Sequence, residues 1–410
     1  MVRQAFVRSV TLRCAIGLLD SASPTRNRQR TAGVVSLAFF VLTGPAFALM
    51  ACNSQTSVQP SPTPVSSSGL ALVVVGEMGT PRAVHTSTRL ADGRVLVAGG
   101  CTDSGCNLGS AGGATAEIFD PATGRFSPTG RLHLSRDDHQ AVLLPDGRVL
   151  IAGGWTSGGV TFTTELYDPH KGTFAAGPDM TSRRAGFTAV AMSDGRVLLA
   201  GGDTANHKET ATADIFDPHT NAITAVGNMI APRVAHAATL LTDGRVLVAG
   251  GMSNGSVISE AELFDPKTNQ FTSAGSMLVA RYKSGSVTLA NGHALIVGGA
   301  ADVEGRHPFT STELYDPKTG RFSAGPQMIT GRYKLIDSMV RLPDGDVIVA
   351  GGAPRPEVLS MGAGEFQNVI GSLGATRLFL TATAIDDHRV LLVGGYDLAI
   401  RPTAQAWMIE

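Results

Sequence analysis

The chain has 410 residues, a formal net charge of −1, 43% hydrophobic and 16% charged side chains, 49 glycines and 21 prolines. So much glycine and proline with so few charges favours many tight turns over long helices. Residues 1–52 hold six arginines and one acid, which leaves 27 basic against 33 acidic groups elsewhere and excludes the basic footprint of a nucleic-acid binder.

The first predicted element is a targeting segment. A basic stretch ending in RNRQR precedes the apolar run TAGVVSLAFFVLTGPAFALMA, which meets Cys52. This is the order of an export signal. Leu49-Met50-Ala51-Cys52 resembles a bacterial lipobox, whose cysteine is lipid-modified and becomes the new N-terminus. Two other readings stay open. One is cleavage after Ala46-Phe47-Ala48 with simple secretion. The other is an uncleaved anchor, although Gly44-Pro45 interrupts the run. Residues 1–52 are thus expected to be a signal with lipidation at Cys52. Residues 53–69, rich in Ser, Pro and Thr without charge or aromatic, are expected to be a disordered tether. The expected location is the bacterial cell envelope, with the lipid anchor as the sole membrane contact, or alternatively the medium.

From residue 70 the chain repeats with a period of about 50 residues. Each copy is marked by a Gly-Gly pair closing a short apolar strand: Gly99-Gly100, Gly153-Gly154, Gly201-Gly202, Gly250-Gly251, Gly298-Gly299, Gly351-Gly352 and Gly394-Gly395. In the fourth copy Arg233 opens a strand, VAHAATLL, and Asp243-Gly244 makes a hairpin turn. RVLVAGG is a second strand, apolar throughout as expected when both faces are covered. Glu262 to Pro266 forms a third strand with its exit turn, and Gln270 to Gly275 a fourth. Four such antiparallel strands make one blade, and blades packed round an axis leave few open edges. The terminal AQAWMIE aligns with a third strand, so the seventh blade lacks its fourth. Residues 70–78, LALVVVGEM, align with a fourth strand and end in Met78, as others end in Met180, Met229, Met277 and Met328. Residues 70–76 are therefore expected to pair with residues 404–409 and close the ring.

The succession of arginine, apolar strand, Gly-Gly, then a strand ending in Phe/Tyr-Asp-Pro and a Thr-Gly or Thr-Asn turn resembles the kelch repeat. In particular it is similar to bacterial secreted kelch proteins of the galactose oxidase-like superfamily. The resemblance implies an all-β, seven-bladed kelch-type β-propeller over residues 70–410, closed by an N-terminal strand. It implies little about activity, because propellers host many functions. Copper oxidases of that family bind the metal through two tyrosines and two histidines, one tyrosine being cross-linked to a cysteine. No residue of that set carries over. None of Tyr167, Tyr282, Tyr315, Tyr333 and Tyr396 is followed by histidine, and Tyr167 and Tyr315 occupy the Phe/Tyr-Asp-Pro position. The chain also has no zinc motif, phosphate loop or serine nucleophile elbow, so no metal and no cofactor are expected.

Two charges recur at fixed positions in the repeat. Arginine opens every first strand: Arg82, Arg136, Arg184, Arg233, Arg281, Arg332 and Arg377. An acid begins the third strand at Glu117, Glu165, Asp214, Glu262, Glu313 and Glu357, with Gln405 in the seventh copy. Recurrence in every blade predicts structural ion pairs, since a ligand site needs asymmetry. His85, His139 and His236 share one position three residues after the arginine and are expected to pack or hydrogen-bond rather than hold a metal.

Connections after first and third strands are short and uniform, so that face reads as plain. Those after second and fourth strands vary, and ligands usually meet such loops. The departures from the repeat there include Tyr282-Lys283 and Tyr333-Lys334 in neighbouring blades, with Asp138 and Trp155 as further candidates; replacing the four Tyr-Lys residues by alanine is expected to spare folding. An aromatic beside a cation suits stacking on a sugar or pairing with a carboxylate. Cys101 and Cys106 stand four residues apart in one loop and are expected to form a local disulfide in an oxidising compartment. The expected function is non-catalytic recognition of a protein or glycan through the loop face of a monomer. The alternative is a carbohydrate-active enzyme such as a periplasmic sugar mutarotase or epimerase.

Overall fold

The computed structural model describes residues 67–107, 111–206 and 208–410. The signal segment, Cys52, most of the tether and His207 lie outside the described residues.

The described chain is all-β and forms a seven-bladed propeller. The first blade comprises Thr86–Arg89, Val95–Ala98, Ala116–Asp120 and Arg125–Pro128. The fourth comprises Ala237–Leu240, Val246–Ala249, Glu260–Asp265 and Gln270–Ser276. Within each blade the strands follow chain order and run antiparallel, with register such as Val246↔Phe264 and Phe264↔Phe271. First strands are innermost and pack on the first strands of neighbouring blades, so they line the central channel.

Second strands are buried along their whole length because each is covered on both faces by an adjacent blade. The core is accordingly divided among the interfaces. Leu96 and Ile118 of blade one meet Val149, Ile151 and Tyr167 of blade two. Equivalent clusters follow round the ring to Val95 and Phe119 of blade one, which meet Leu391, Val393 and Met408 of blade seven. Met78, Met180, Met229, Met277 and Met328 are buried in these interfaces. The flexible thioethers of Met180, Met229, Met277 and Met328 each fill the gap beside the first glycine of a Gly-Gly pair, where a Cβ would crowd them; a Cβ on Gly250 would lie 2.8 Å from the Met277 methyl.

The Gly-Gly pairs bring one blade onto the next. The N–H of Gly100 donates to the carbonyl of Arg136 at 2.8 Å, that of Gly154 to Arg184, that of Gly202 to Arg233, and so on to Gly352 and Arg377. A Cβ on Gly100 would lie 2.6 Å from the Ala83 carbonyl, and both glycines of this pair have positive φ. Only glycine tolerates this approach without displacement.

Closure follows the expected pairing. The N-terminal strand, Ser67–Arg82, runs antiparallel to the C-terminal strand Thr403–Ile409, with Leu72↔Ile409, Val74↔Trp407 and Gly76↔Ala406. It begins at Ser67, inside the stretch expected to be tether. Its start also pairs parallel to the fourth strand of blade six, Ser67↔Asn368 and Ala71↔Ile370, so blades six and seven share one eight-stranded sheet.

Candidate functional site

The recurrent charges are structural. Six of the seven arginines pair with the acid of their own blade: Arg82 with Glu117, Arg136 with Glu165, Arg184 with Asp214, Arg233 with Glu262, Arg281 with Glu313 and Arg332 with Glu357. Each guanidinium also donates to the carbonyl of the first glycine in its Gly-Gly pair, as Arg82 does to Gly99 at 2.8 Å. The carboxylate accepts N–H bonds from the segment entering the blade, as Glu262 does from Ile230 and Ala231. Burial lowers the pKa of these arginines while the partner carboxylates oppose the shift. In blade seven Gln405 stands where the other blades have the acid, so Arg377 forms no such ion pair among the described residues; its guanidinium lies over the Trp407 ring at 5.9 Å and feels the charge of Asp397.

The histidines are interface residues. His85 Nε2 bonds Thr381 Oγ1 at 3.1 Å, His139 bonds Thr86 at 3.0 Å, and His236 bonds Thr188 at 2.9 Å, each partner lying in the preceding blade. Burial first, then nearby arginines, push His139 and His236 down to about 3, so they are neutral imidazoles at physiological pH.

One ring of backbone was not legible. The residue two positions after each arginine is left-handed: Val84, Asp138, Gly186, Ala235, Lys283, Lys334 and Phe379 have φ between 53° and 60°. A β-branched or aromatic side chain avoids that region unless its surroundings impose it. The imposing contacts are hydrogen bonds round the channel mouth: Asp138 N–H to the Val84 carbonyl, Gly186 to Asp138, Ala235 to Gly186, and Lys283 to Ala235. Blade six breaks the pattern. There Leu342 lies ten positions after Arg332, whereas Leu90 lies eight after Arg82 and Leu289 eight after Arg281. The extra length places Asp337, also left-handed, in the channel throat beside Asp138, Phe379, His85 and His139. These groups surround a cavity of about 10 Å³, room for one water. Asp337 lines this void and remains exposed on the channel side. Desolvation by the surrounding blades pushes its carboxyl up to about 6, and the charge of Asp138 adds to the shift.

The tandem Tyr-Lys pairs meet at this broken part of the mouth. Lys283 Nζ lies 4.8 Å from the Tyr282 ring centre and 5.3 Å from that of Phe379. Lys334 Nζ lies 5.0 Å from Tyr333, 5.4 Å from Phe379 and 5.2 Å from Tyr396, and donates to the Tyr396 hydroxyl at 2.9 Å. Two ammonium groups from neighbouring blades thus converge on one phenyl ring of a third. Tyr333 is held from below by the blade-five loop, where Gly305 leaves no room for a Cβ. Desolvation, with Asp302 second, raises its pKa, so it stays a neutral phenol.

Tyr282 is only 9% exposed and packs with Val234 and Ala235, so it belongs to the core as much as to the surface. Removing it must cost packing, which corrects the expectation that all four Tyr-Lys residues could change with folding intact. Trp155 stands apart from the cluster, packed on Val160 and Ala185. Cys101 and Cys106 are bonded, with Cα atoms 5.0 Å apart, and pack against Tyr396, Tyr333 and Phe379. Phe379, Tyr396 and Asp337 complete the site. The sequence marks Phe379 by nothing, and Asp337 only by the lengthened segment between Arg332 and Leu342.

The Kelch motif family matches residues 233–278, which span the fourth blade. No curated protein sequence matches the chain. Among solved structures 1122 chains match, so the fold is widespread and selects no activity. One is described as a novel fungal alcohol oxidase with catalytic diversity among the AA5 family, in complex with copper. It superposes with a TM-score of 0.65 at 19% identity, over 83% of this chain and 75% of that one. The architecture is therefore a β-propeller with a Kelch motif in its fourth blade. At this identity the likeness is one of fold alone. Copper does not fit the donors present. Among the described residues no group of three or more His, Cys, Asp and Glu could hold a metal. The mouth tyrosines face lysines rather than histidines, and the propeller cysteines are bonded to each other.

Proposed function

We propose that the protein is a non-catalytic recognition propeller of the cell envelope that binds a glycan or a protein segment at its loop-face channel mouth. The observation that carries this reading is the convergence of Lys283 and Lys334 on Phe379 where blade six breaks the regular ring. Partly exposed aromatic faces offer stacking, the ammonium groups donate, and the throat carboxylates Asp138 and Asp337 accept. Such a surface suits a sugar ring bearing hydroxyl and carboxylate groups. The envelope placement rests on the signal-like residues 1–52 and the lipobox-like Cys52.

A glycan array probed with the mature exported protein tests the reading. Selective binding lost in a Lys283→Gln, Lys334→Gln variant supports it. Binding that survives in that variant places recognition elsewhere.

A second reading has one observation in its favour. Asp337 and Asp138 are two carboxylates in one throat, the first held up near neutrality. A carboxyl held up near neutrality beside a second carboxylate suits the proton transfers of sugar mutarotation or epimerisation. Acceleration of anomer exchange, abolished by Asp337→Asn, would favour catalysis over simple binding.

A further inference from the structure

The face of hairpins, opposite the varied loops, reads as plain in sequence, yet a cavity of about 540 Å³ opens there at the other end of the channel. Its origin lies in blade seven. In blades one to six the turn between first and second strands carries a glycine with φ near 90°: Gly93, Gly147, Gly195, Gly244, Gly292 and Gly345. Blade seven has His388 there. In blades one to four an arginine clamps the aspartate two residues before it, as Arg94 does Asp92. In blade seven Arg389 instead clamps Asp386, three residues back, at 2.7 Å. Asp387 and His388 are thereby left to line the cavity.

The flanking blades supply the charge. The residue before the apolar end of each first strand is Arg89, Leu143, Ala191, Leu240, Thr288, Arg341 and Ala384 round the ring. Arginine thus stands on both sides of blade seven, with small Ala384 between, and Arg89 and Arg341 line the same cavity. Both are exposed, and neither forms an ion pair among the described residues. With Arg389 matched by Asp386, two guanidinium groups face one carboxylate, Asp387. This asymmetry is what the buried arginine ring lacks and what a ligand site requires.

We infer that this cavity binds a small multiply charged oxyanion, with Arg89 and Arg341 as the two forks that grip it. A guanidinium presents paired donors matched to phosphate and carboxylate oxygens. The volume suits a molecule of sugar-phosphate or tricarboxylate size. The site is separate from the loop-face mouth, whose throat carries Asp138 and Asp337.

Calorimetric titration of the full protein with inorganic phosphate and with citrate, at constant ionic strength, tests this. At least one is expected to bind saturably at millimolar concentration or below. Phosphate favoured over citrate points to a phosphate ester, and the reverse to a polycarboxylate. Arg89→Gln and Arg341→Gln should each weaken binding by about tenfold or more, from the loss of charged hydrogen bonds. Asp387→Asn should strengthen it by removing the competing carboxylate, a gain that misfolding could not mimic. Lys283→Gln with Lys334→Gln should leave it unchanged, which separates this site from the glycan reading. Absence of saturable binding by both anions, or affinity indifferent to both arginine substitutions, overturns the inference.

Discussion

The N–H of Gly395 donates to the carbonyl of Arg82 across 2.9 Å, joining the last blade to the residue that opens the first. The same bond links every other pair of neighbouring blades, so the closing interface is built like the rest. What differs is that its fourth strand comes from the opposite end of the chain. Removing Ser67 to Glu77 strips the partner of Thr403–Ile409 and bares Trp407 and Met408. The deletion is expected to abolish a single cooperative thermal transition. A variant that melts like the intact protein would show that the clasp is dispensable.

The buried ion pairs make a sharp stability prediction. Asp214→Ala leaves the Arg184 guanidinium in the interior with carbonyl partners alone, at a cost of about 3–5 kcal/mol. The exposed clamp of Arg94 on Asp92 should be worth under about 1 kcal/mol when cut by Asp92→Ala. Urea midpoints for the two variants check the contrast, and similar losses in both would contradict it.

Acid sensitivity should follow the interface histidines. An imidazole whose folded pKa is depressed takes up a proton on unfolding. Its contribution is therefore complete above the unfolded value near 6.5 and is lost as pH falls toward the folded value of about 3 for His139 and His236. Stability is expected to decline over that window. His236→Phe, the residue type of Phe187 at the same position, should flatten the decline. Urea titrations at about pH 4 and pH 7 provide the test, and an unaltered slope in the variant would refute the assignment.

Asp337 works with the opposite sign. Its folded pKa is raised, so its contribution is greatest below the unfolded value near 3.8 and is lost as pH rises through about 6. Asp337→Asn should stabilise the protein at neutral pH by up to about 1 kcal/mol, the channel water screening the rest, and change nothing below pH 3.8. A difference that is constant with pH would mean that the carboxyl is not perturbed.

The mouth cluster predicts a division between lysines and tyrosines. Lys283→Gln and Lys334→Gln should shift stability by about 0.5 kcal/mol or less, as partly exposed positions do. Tyr282→Ala should cost about 2–4 kcal/mol by leaving a void against Val234 and Ala235. Equal melting temperatures for the lysine and tyrosine variants would contradict this.

Blade count, strand order and closure were legible because each copy repeats the same chemistry: Gly-Gly where two chains touch, arginine where two carbonyls and a carboxylate converge. The left-handed ring was not, since Val84, Ala235, Lys283, Lys334 and Phe379 carry no turn signature. Their conformation is imposed by hydrogen bonds between blades, which no local pattern encodes. Lys283 and Lys334 were visible as departures from the repeat. Their shared target, Phe379, lies far along the chain and looks like one more apolar residue opening a strand. Asp337 was hidden in a length difference, and the hairpin-face cavity in a single histidine replacing glycine.

The strand Ser67–Arg82 also has a mechanical consequence. Near its start it lies between the fourth strand of blade six and the C-terminal strand, bonded on both sides. Tension entering from the residues before Ser67 would run along the strand, loading its hydrogen bonds together in shear rather than peeling them one by one. A propeller held at this end should resist detachment far better than one pulled through an exposed edge, and single-molecule pulling from the two positions would measure the difference.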